Sequence, residues 1–254
     1  MSDFRARTNA EILDAAFEIY RRHFWVFFAV SVVATIPGGI ARYLISRTSV
    51  LDPTHKPLLL ALAWIVAGLI APFAEAAFVT TTSNAYRGSV VDIADSIRSA
   101  FVRPWQLFAI VWARGIMLGL GMLLLIVPGL IVYKRYFAIV AAFTIEKLPA
   151  RAAMTRSREI SDDNGKRIFF LLGAVALFAI FAGAMLGGFL AAIAKGAIAA
   201  ILYLVAVSLF TPFPAIVMTL LYYDIRIRRE GYDIELLANA LDGTIPVPPA
   251  QYAI

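Results

Sequence analysis

Six runs of about twenty apolar residues follow one another with little polar sequence between them, and about twenty is the number a helix needs to cross a hydrocarbon core roughly 30 Å thick. They cover residues 24–44, 58–80, 105–127, 129–145, 168–190 and 199–223. Inside lipid the backbone N–H and C=O groups find no water, so such runs must fold as helices that satisfy their own hydrogen bonds. The expected fold is all-α, a polytopic membrane protein in which 1–241 form a single transmembrane domain and 242–254 a flexible, proline-containing tail. Composition agrees, with 61% hydrophobic and 16% charged residues against about 45–50% and 25% in soluble domains. There is no Cys, which excludes disulfides and thiolate metal sites. The first run starts after a charged segment and lacks a small-residue cleavage site, so it reads as a span and not a signal peptide.

The third and fourth runs need a break between them. Uninterrupted, a helix from Trp105 to Glu146 would be about 63 Å long, twice the bilayer core. Pro128-Gly129, in LLLIVPGLIVYKRYFAIV, is the expected turn, because proline lacks an N–H and glycine tolerates a sharp reversal. With that turn, sixteen Lys and Arg residues fall on one side of the membrane and four on the other; without it the split is eight against twelve. The positive-inside rule then places both termini in the cytoplasm. Lys134 and Arg135 would stand about 9 Å inside the outer end of the fourth span. They either snorkel outward beside Tyr133 and Tyr136 or hold a solute or a lipid phosphate.

A unit recurs along the chain. Before the first span, Ile12, Leu13, Ala16, Phe17 and Tyr20 share one helical face, and Glu11, Asp14, Glu18, Arg21 and Arg22 the other. Before the third, Ile93, Ile97 and Ala100 stand eighty residues after Leu13, Phe17 and Tyr20, and Trp105 eighty after Trp25. Before the fifth, Ala150, Ala153, Met154, Ser157 and Ile160 make a thinner stripe whose alignment needs a small shift, with Asn164-Gly165 as a C-cap. The expected architecture is three transmembrane hairpins, each preceded by an amphipathic helix in the plane of the inner leaflet. Arg21, Arg22, Arg151, Arg156 and Arg158 would then meet anionic lipid headgroups, a simpler reading of RAAMTRSR than nucleic acid. After the sixth span, Gly231 stops the helix and Asp233 starts a short amphipathic one carrying Ile234, Leu237 and Leu241.

Polar groups within spans are the candidate functional positions. Glu75 lies about 12 Å from the inner end of the second span if that helix continues to Ser83, and Arg114 about 13 Å in from Trp105. An isolated charge near mid-membrane costs at least about 2.5–3.5 kcal/mol, so the two are expected to pair, either as a fixed link or as a proton- or substrate-coupled site. Gly115 with Gly119, and Gly183 with Gly187, form GxxxG patterns suited to close helix packing. Pro212 and Pro214 should kink the sixth span and free carbonyls for a neighbouring helix or Thr211. No metal-ligand cluster, nucleotide loop or nucleophile motif is present, and no cofactor is expected.

The segments ILDAAFEIYRRHFWVFFAV, LLLIVPGLIVYKRYFAIVAAF and LLYYDIRIRREGYDIELLA resemble a broad group of bacterial integral-membrane proteins labelled after the membrane domain of glycerophosphoryl diester phosphodiesterases. The resemblance covers almost the whole chain through topological motifs. It implies a helical protein of the bacterial inner membrane. The enzymes that give the group its label work through a separate barrel with paired His, Glu and Asp around a divalent metal, a domain of roughly 250 residues. This sequence departs from that pattern: its two histidines, His23 and His55, fall on opposite sides of the expected topology, so phosphodiesterase activity is not carried over. The expected function is a non-enzymatic membrane-organising or accessory scaffold that touches anionic lipid or a membrane or cytoplasmic protein partner. The alternative is a small-solute or lipid transporter using Glu75 and Arg114.

Overall fold

The computed structural model describes residues 5–47 and 55–232, so the short helix expected from Asp233 and the tail lie outside the described residues. Within them the chain is helical throughout, with no strand. The helices are α1 (Asn9–Arg22), α2 (Phe24–Arg47), α3 (His55–Tyr86), α4 (Ile93–Ala100), α5 (Pro104–Leu124), α6 (Ile126–Arg135), α7 (Ile139–Ile145), α8 (Ala150–Ser161), α9 (Gly165–Ile193), α10 (Gly196–Phe210) and α11 (Phe213–Glu230). Six segments are long and apolar enough to cross a membrane: Phe24–Ala41, Pro57–Tyr86, Pro104–Leu124, Val127–Ile145, Gly165–Ile193 and Gly196–Glu230. The protein is a multi-pass, all-α membrane protein.

The breaks follow from local chemistry. Thr8 and Glu11 form a reciprocal capping box that starts α1. The turn between α5 and α6 falls at Leu125, which is extended (φ −162°, ψ 143°), and not at Pro128-Gly129 as the sequence suggested. Pro128 is the third residue of α6, where a first-turn N–H has no helical partner to lose. Gly129 serves the turn differently: a Cβ on Gly121 would lie 2.8 Å from the Gly129 nitrogen, so the two glycines let the helices touch. Asn164-Gly165 do not cap α8 either. Asp163 takes the left-handed conformation (φ 66°), and Asn164 and Gly165 begin α9.

Each of the two composite spans is interrupted once. Between α6 and α7, Ser157 accepts from the Ala138 N–H at 3.2 Å and donates to the Arg135 carbonyl at 3.0 Å, supplying the bonds the helix drops. Between α10 and α11 the chain bends at Thr211 and Pro212, and the Tyr20 hydroxyl, arriving from α1, donates to the Leu209 carbonyl at 2.7 Å. The kink at Pro212 is thus braced by a neighbouring helix.

Helix packing closes on itself. Successive spans touch in pairs, α2 with α3, α5 with α6, α9 with α10. The pairs meet one another through α3 with α5, α6 with α9, and α10 with α2. The shorter helices follow the same order, α4 on α3, α8 on α7, and α1 on α11, the last contact joining the two ends of the described chain. Burial repeats with it. Ala16, Ser96 and Ser157 are buried, as are Phe27, Leu107 and Ile168, and Val30, Ile110 and Leu171, each triplet at the same two spacings along the chain. Trp25 and Trp105, also one spacing apart, are 74% and 82% exposed. Fully enclosed side chains are dense on α7 and on the C-terminal parts of α3 and α11, as at Val79, Ile139, Val140, Leu221 and Tyr222, and include Ile12, Phe27, Leu107 and Ile168 on other helices.

Candidate functional site

Glu75 lies about two-thirds of the way along α3 and Arg114 midway along α5, and the fork of the guanidinium closes on the carboxylate. Arg114 Nη1 donates to Glu75 Oε1 at 2.8 Å and Nη2 to Oε2 at 2.6 Å. Two parallel charge-assisted bonds fix both side chains in one plane and use the carboxylate's best acceptor directions. Trp112 ties the same helices again, its indole N–H donating to the Gly68 carbonyl at 3.0 Å. A Cβ at Gly68 would lie 2.9 Å from the Trp112 ring, so that close approach requires glycine. The pair is about one-fifth exposed on each side chain.

The second polar concentration lies where the helices extend past their apolar windows. Asp224, 2% exposed on α11, accepts from the Arg7 backbone N–H at 2.5 Å, from Arg167 Nη1 at 2.5 Å and from Arg228 Nε at 2.9 Å. Arg167 and Arg228 then both donate to the Arg7 carbonyl. One buried carboxylate thus fastens the segment before α1 to α9 and α11. A few turns away Arg156 donates to Glu146 at 3.0 Å and to Glu230 at 2.8 Å, Arg226 joins the same two carboxylates, and the Tyr222 hydroxyl donates to Glu146. Burial by itself would lower the Arg156 pKa, but its bonds to Glu230 and Glu146 outweigh that and hold it above the ordinary arginine range. Ser83 and Tyr223 share a hydroxyl bond at 2.8 Å, and Tyr223 stacks between Tyr86 and Tyr232.

The basic residues expected on lipid divide accordingly. Arg21, Arg22, Arg135, Arg151 and Arg158 are exposed. Arg156 is committed to the carboxylate network, and Arg158 lies over the Tyr136 ring, 4.9 Å from its centroid, and bonds its hydroxyl. Lys134 and Arg135 do not stand near the α5–α6 turn. A Cβ at Gly165 would lie 2.8 Å from Lys134 Nζ, so this ammonium rests on the first turn of α9, and the Arg135 carbonyl belongs to Ser157 of α8. The reason is length: α6 has ten residues, about 15 Å, and both cations are at its far end.

The four glycines also divide. Gly187 lies under the Tyr203 ring, which a Cβ would meet at 2.7 Å, and Gly183 meets Val207 at ordinary contact, so this pair packs α9 on α10. Nothing lies within 4 Å of a Cβ at Gly115 or Gly119. Thr35 of α2 meets Ser208 of α10 at 2.7 Å, and one turn earlier the buried Ser31 hydroxyl has no hydrogen-bond partner among the described residues.

Comparison with protein-family models, with curated proteins and with solved structures finds no match for this chain. Among the described residues no group of three or more His, Asp or Glu could hold a metal ion.

Proposed function

We propose that the protein is a non-enzymatic membrane scaffold of three quasi-equivalent units, each an amphipathic helix followed by a transmembrane hairpin, whose basic end touches anionic lipid. The observation that carries the reading is the bidentate closure of Arg114 on Glu75: the strongest charges within the spans saturate each other and link two units, an arrangement suited to holding helices in place. The exposed Arg21, Arg22, Arg135 and Arg151 lie toward the end where Trp25 and Trp105 stand out as interface aromatics, as expected of a face that reads headgroups. The sequence resemblance and the charge asymmetry support the bacterial inner membrane with both termini cytoplasmic.

The test is lipid selectivity of the whole protein. Replacing Arg21, Arg22 and Arg151 with glutamine together should reduce co-purification of anionic relative to zwitterionic lipid, read by native mass spectrometry, while leaving the fold intact. Unchanged selectivity rejects the lipid-reading role. Reporter fusions at Ser89 and Ser157 should read as cytoplasmic and at Lys195 as external.

A transport reading draws on one observation, the unsatisfied Ser31 hydroxyl one turn before Thr35, which meets Ser208 of the interrupted sixth span, since broken helices with unpaired polar groups serve as binding points in many carriers. Proteoliposomes that dissipate an imposed pH gradient in the wild type and not in Ser31→Ala would establish it.

A further inference from the structure

An apolar groove of about 340 Å³ runs between α2 and α3 and is floored by α4. Ala29 and Val33 form one wall, Phe73 and Ala77 the other, and Ile97 and Phe101 the floor. Every residue lining it is apolar. The floor is fixed: Thr81 donates to Ser96 and Ser99 to Thr80, both at 2.8 Å, and Phe101 stacks on Phe73 at 4.5 Å between centroids. Because α4 is anchored through hydroxyls on its α3-facing side, its remaining apolar face is held open toward the groove.

We infer that this groove is a binding site for one acyl chain of a membrane phospholipid, with the lipid phosphate over Arg98. Both walls belong to membrane-spanning segments, so the solvent at the mouth is hydrocarbon. The groove is continuous with the lipid-facing surface, since Val33 and Phe101 are 56% and 55% exposed and adjoin the exposed Ile36 and Val102. Trp25, one turn before Ala29, is 74% exposed and marks the headgroup level on that side. Arg98 follows Ile97 directly, and its side chain is 80% exposed with only a loose pairing to Asp95 at 3.6 Å.

Comparison within the chain sets the groove's lining apart from that of the corresponding place one hairpin later. At the repeat spacing that aligns Phe27 with Leu107, the wall residue Ala34 corresponds to Arg114, whose guanidinium reaches Glu75. At the spacing that aligns Ser96 with Ser157, the floor residue Ile97 corresponds to Arg158, which lies over Tyr136. The corresponding place between the second hairpin and α8 thus carries two arginines, already engaged by Glu75 and Tyr136, where the groove has Ala34 and Ile97.

The proposal rests on the membrane scaffold reading but not on its anionic selectivity, and the test keeps them apart. The full-length protein is reconstituted in zwitterionic phosphatidylcholine carrying a photoactivatable diazirine on one acyl chain, and labelled peptides are mapped by mass spectrometry. Labelling should concentrate severalfold on residues 70–77 and 93–101 over the equally apolar exposed surface of α9 around Phe181 and Met185. Filling the groove with Ala74→Leu and Ala77→Leu should abolish the excess, and Arg98→Gln, at an exposed position that does not bear on folding, should reduce it. Equal labelling of groove and α9 overturns the acyl-chain site whatever the anionic selectivity shows. Groove labelling unmoved by Arg98→Gln overturns the phosphate assignment, and groove labelling with no anionic selectivity leaves the site standing while rejecting the headgroup-reading role.

Discussion

The backbone N–H of Arg7 donates to the carboxylate of Asp224 at 2.5 Å, joining positions 217 residues apart. Arg167 and Arg228 complete the shell, so the carboxylate is buried but fully engaged. Asp224→Asn removes the charge and leaves two guanidinium groups facing each other, which should cost about 3–5 kcal/mol. The expected outcome is a lower unfolding temperature in detergent together with faster tryptic cleavage after Arg5 and Arg7. Loss of stability with no change at those bonds would mean that Asp224 does not hold the N-terminal segment.

The Glu75 and Arg114 pair should behave as a coupled unit. Glu75→Gln and Arg114→Met each strand a charge in the spans, an effect of about 3 kcal/mol, whereas the double substitution removes the mismatch. Thermal unfolding of the three variants should find the double mutant more stable than either single. If the double mutant is well folded but cannot replace the wild type in a deletion strain, the carboxylate has a role beyond linkage.

Glycine substitutions separate packing positions from open ones. Gly115→Ala and Gly119→Ala meet no atom and gain helix propensity, up to about 1 kcal/mol. Gly121→Ala pushes a methyl into the backbone of Gly129 and should destabilise by roughly 1–3 kcal/mol. Gly187→Ala should fall between, because the Tyr203 ring can move. Denaturant titration in mixed micelles ranks the four. A destabilised Gly115→Ala would point to a contact made outside the single chain.

Acid should loosen the start of α1. Hydrogen bonds from the Thr8 backbone N–H, the Arg5 guanidinium and the Thr8 hydroxyl hold Glu11 at a pKa of about 2, against an ordinary 4.5. The folded-state value is depressed, so the cap contributes fully above pH 4.5 and loses its contribution as pH falls from there toward 2. Amide exchange at Glu11 and Ile12 should accelerate over that window, and in Glu11→Gln it should be faster and pH-independent once intrinsic rates are removed. His23, at the junction of α1 and α2, is held below its usual pKa by burial and by Arg22, so its neutral form is favoured and the junction weakens as pH falls below 6.5.

The spans were legible because hydropathy over twenty residues reports the lipid environment directly. The turn was misplaced by three residues because Pro128 was read as ending a helix, although proline fits a first turn as well; Pro37 and Pro72 lie inside α2 and α3 without ending them. The helices run beyond their apolar windows where hydroxyls find partners, as when Thr80, Thr81 and Thr82 each donate to the carbonyl four residues back. Glu75 and Arg114 could be matched by depth alone, since helical rise converts sequence position into height. The Asp224 cluster could not, because its partners come from opposite ends of the chain and from outside the apolar runs. Arg156 looked like a lipid-facing cation for the same reason: its carboxylate partners, Glu146 and Glu230, stand on segments that a local pattern does not bring together.

The contact of α1 with α11 makes the order of synthesis matter. The surface that helix α1 packs against, and the carboxylate that fastens Arg7, are made about two hundred residues after α1 itself. At about 5–20 residues per second, α1 waits roughly 10–40 seconds without its partner. Its apolar stripe of Ile12, Ala16 and Ile19 must be sheltered elsewhere in that interval, and the bilayer surface is the nearest apolar medium. A helix that ends buried against protein would thus begin as a membrane-surface helix, exchanging lipid for protein only when the last span arrives.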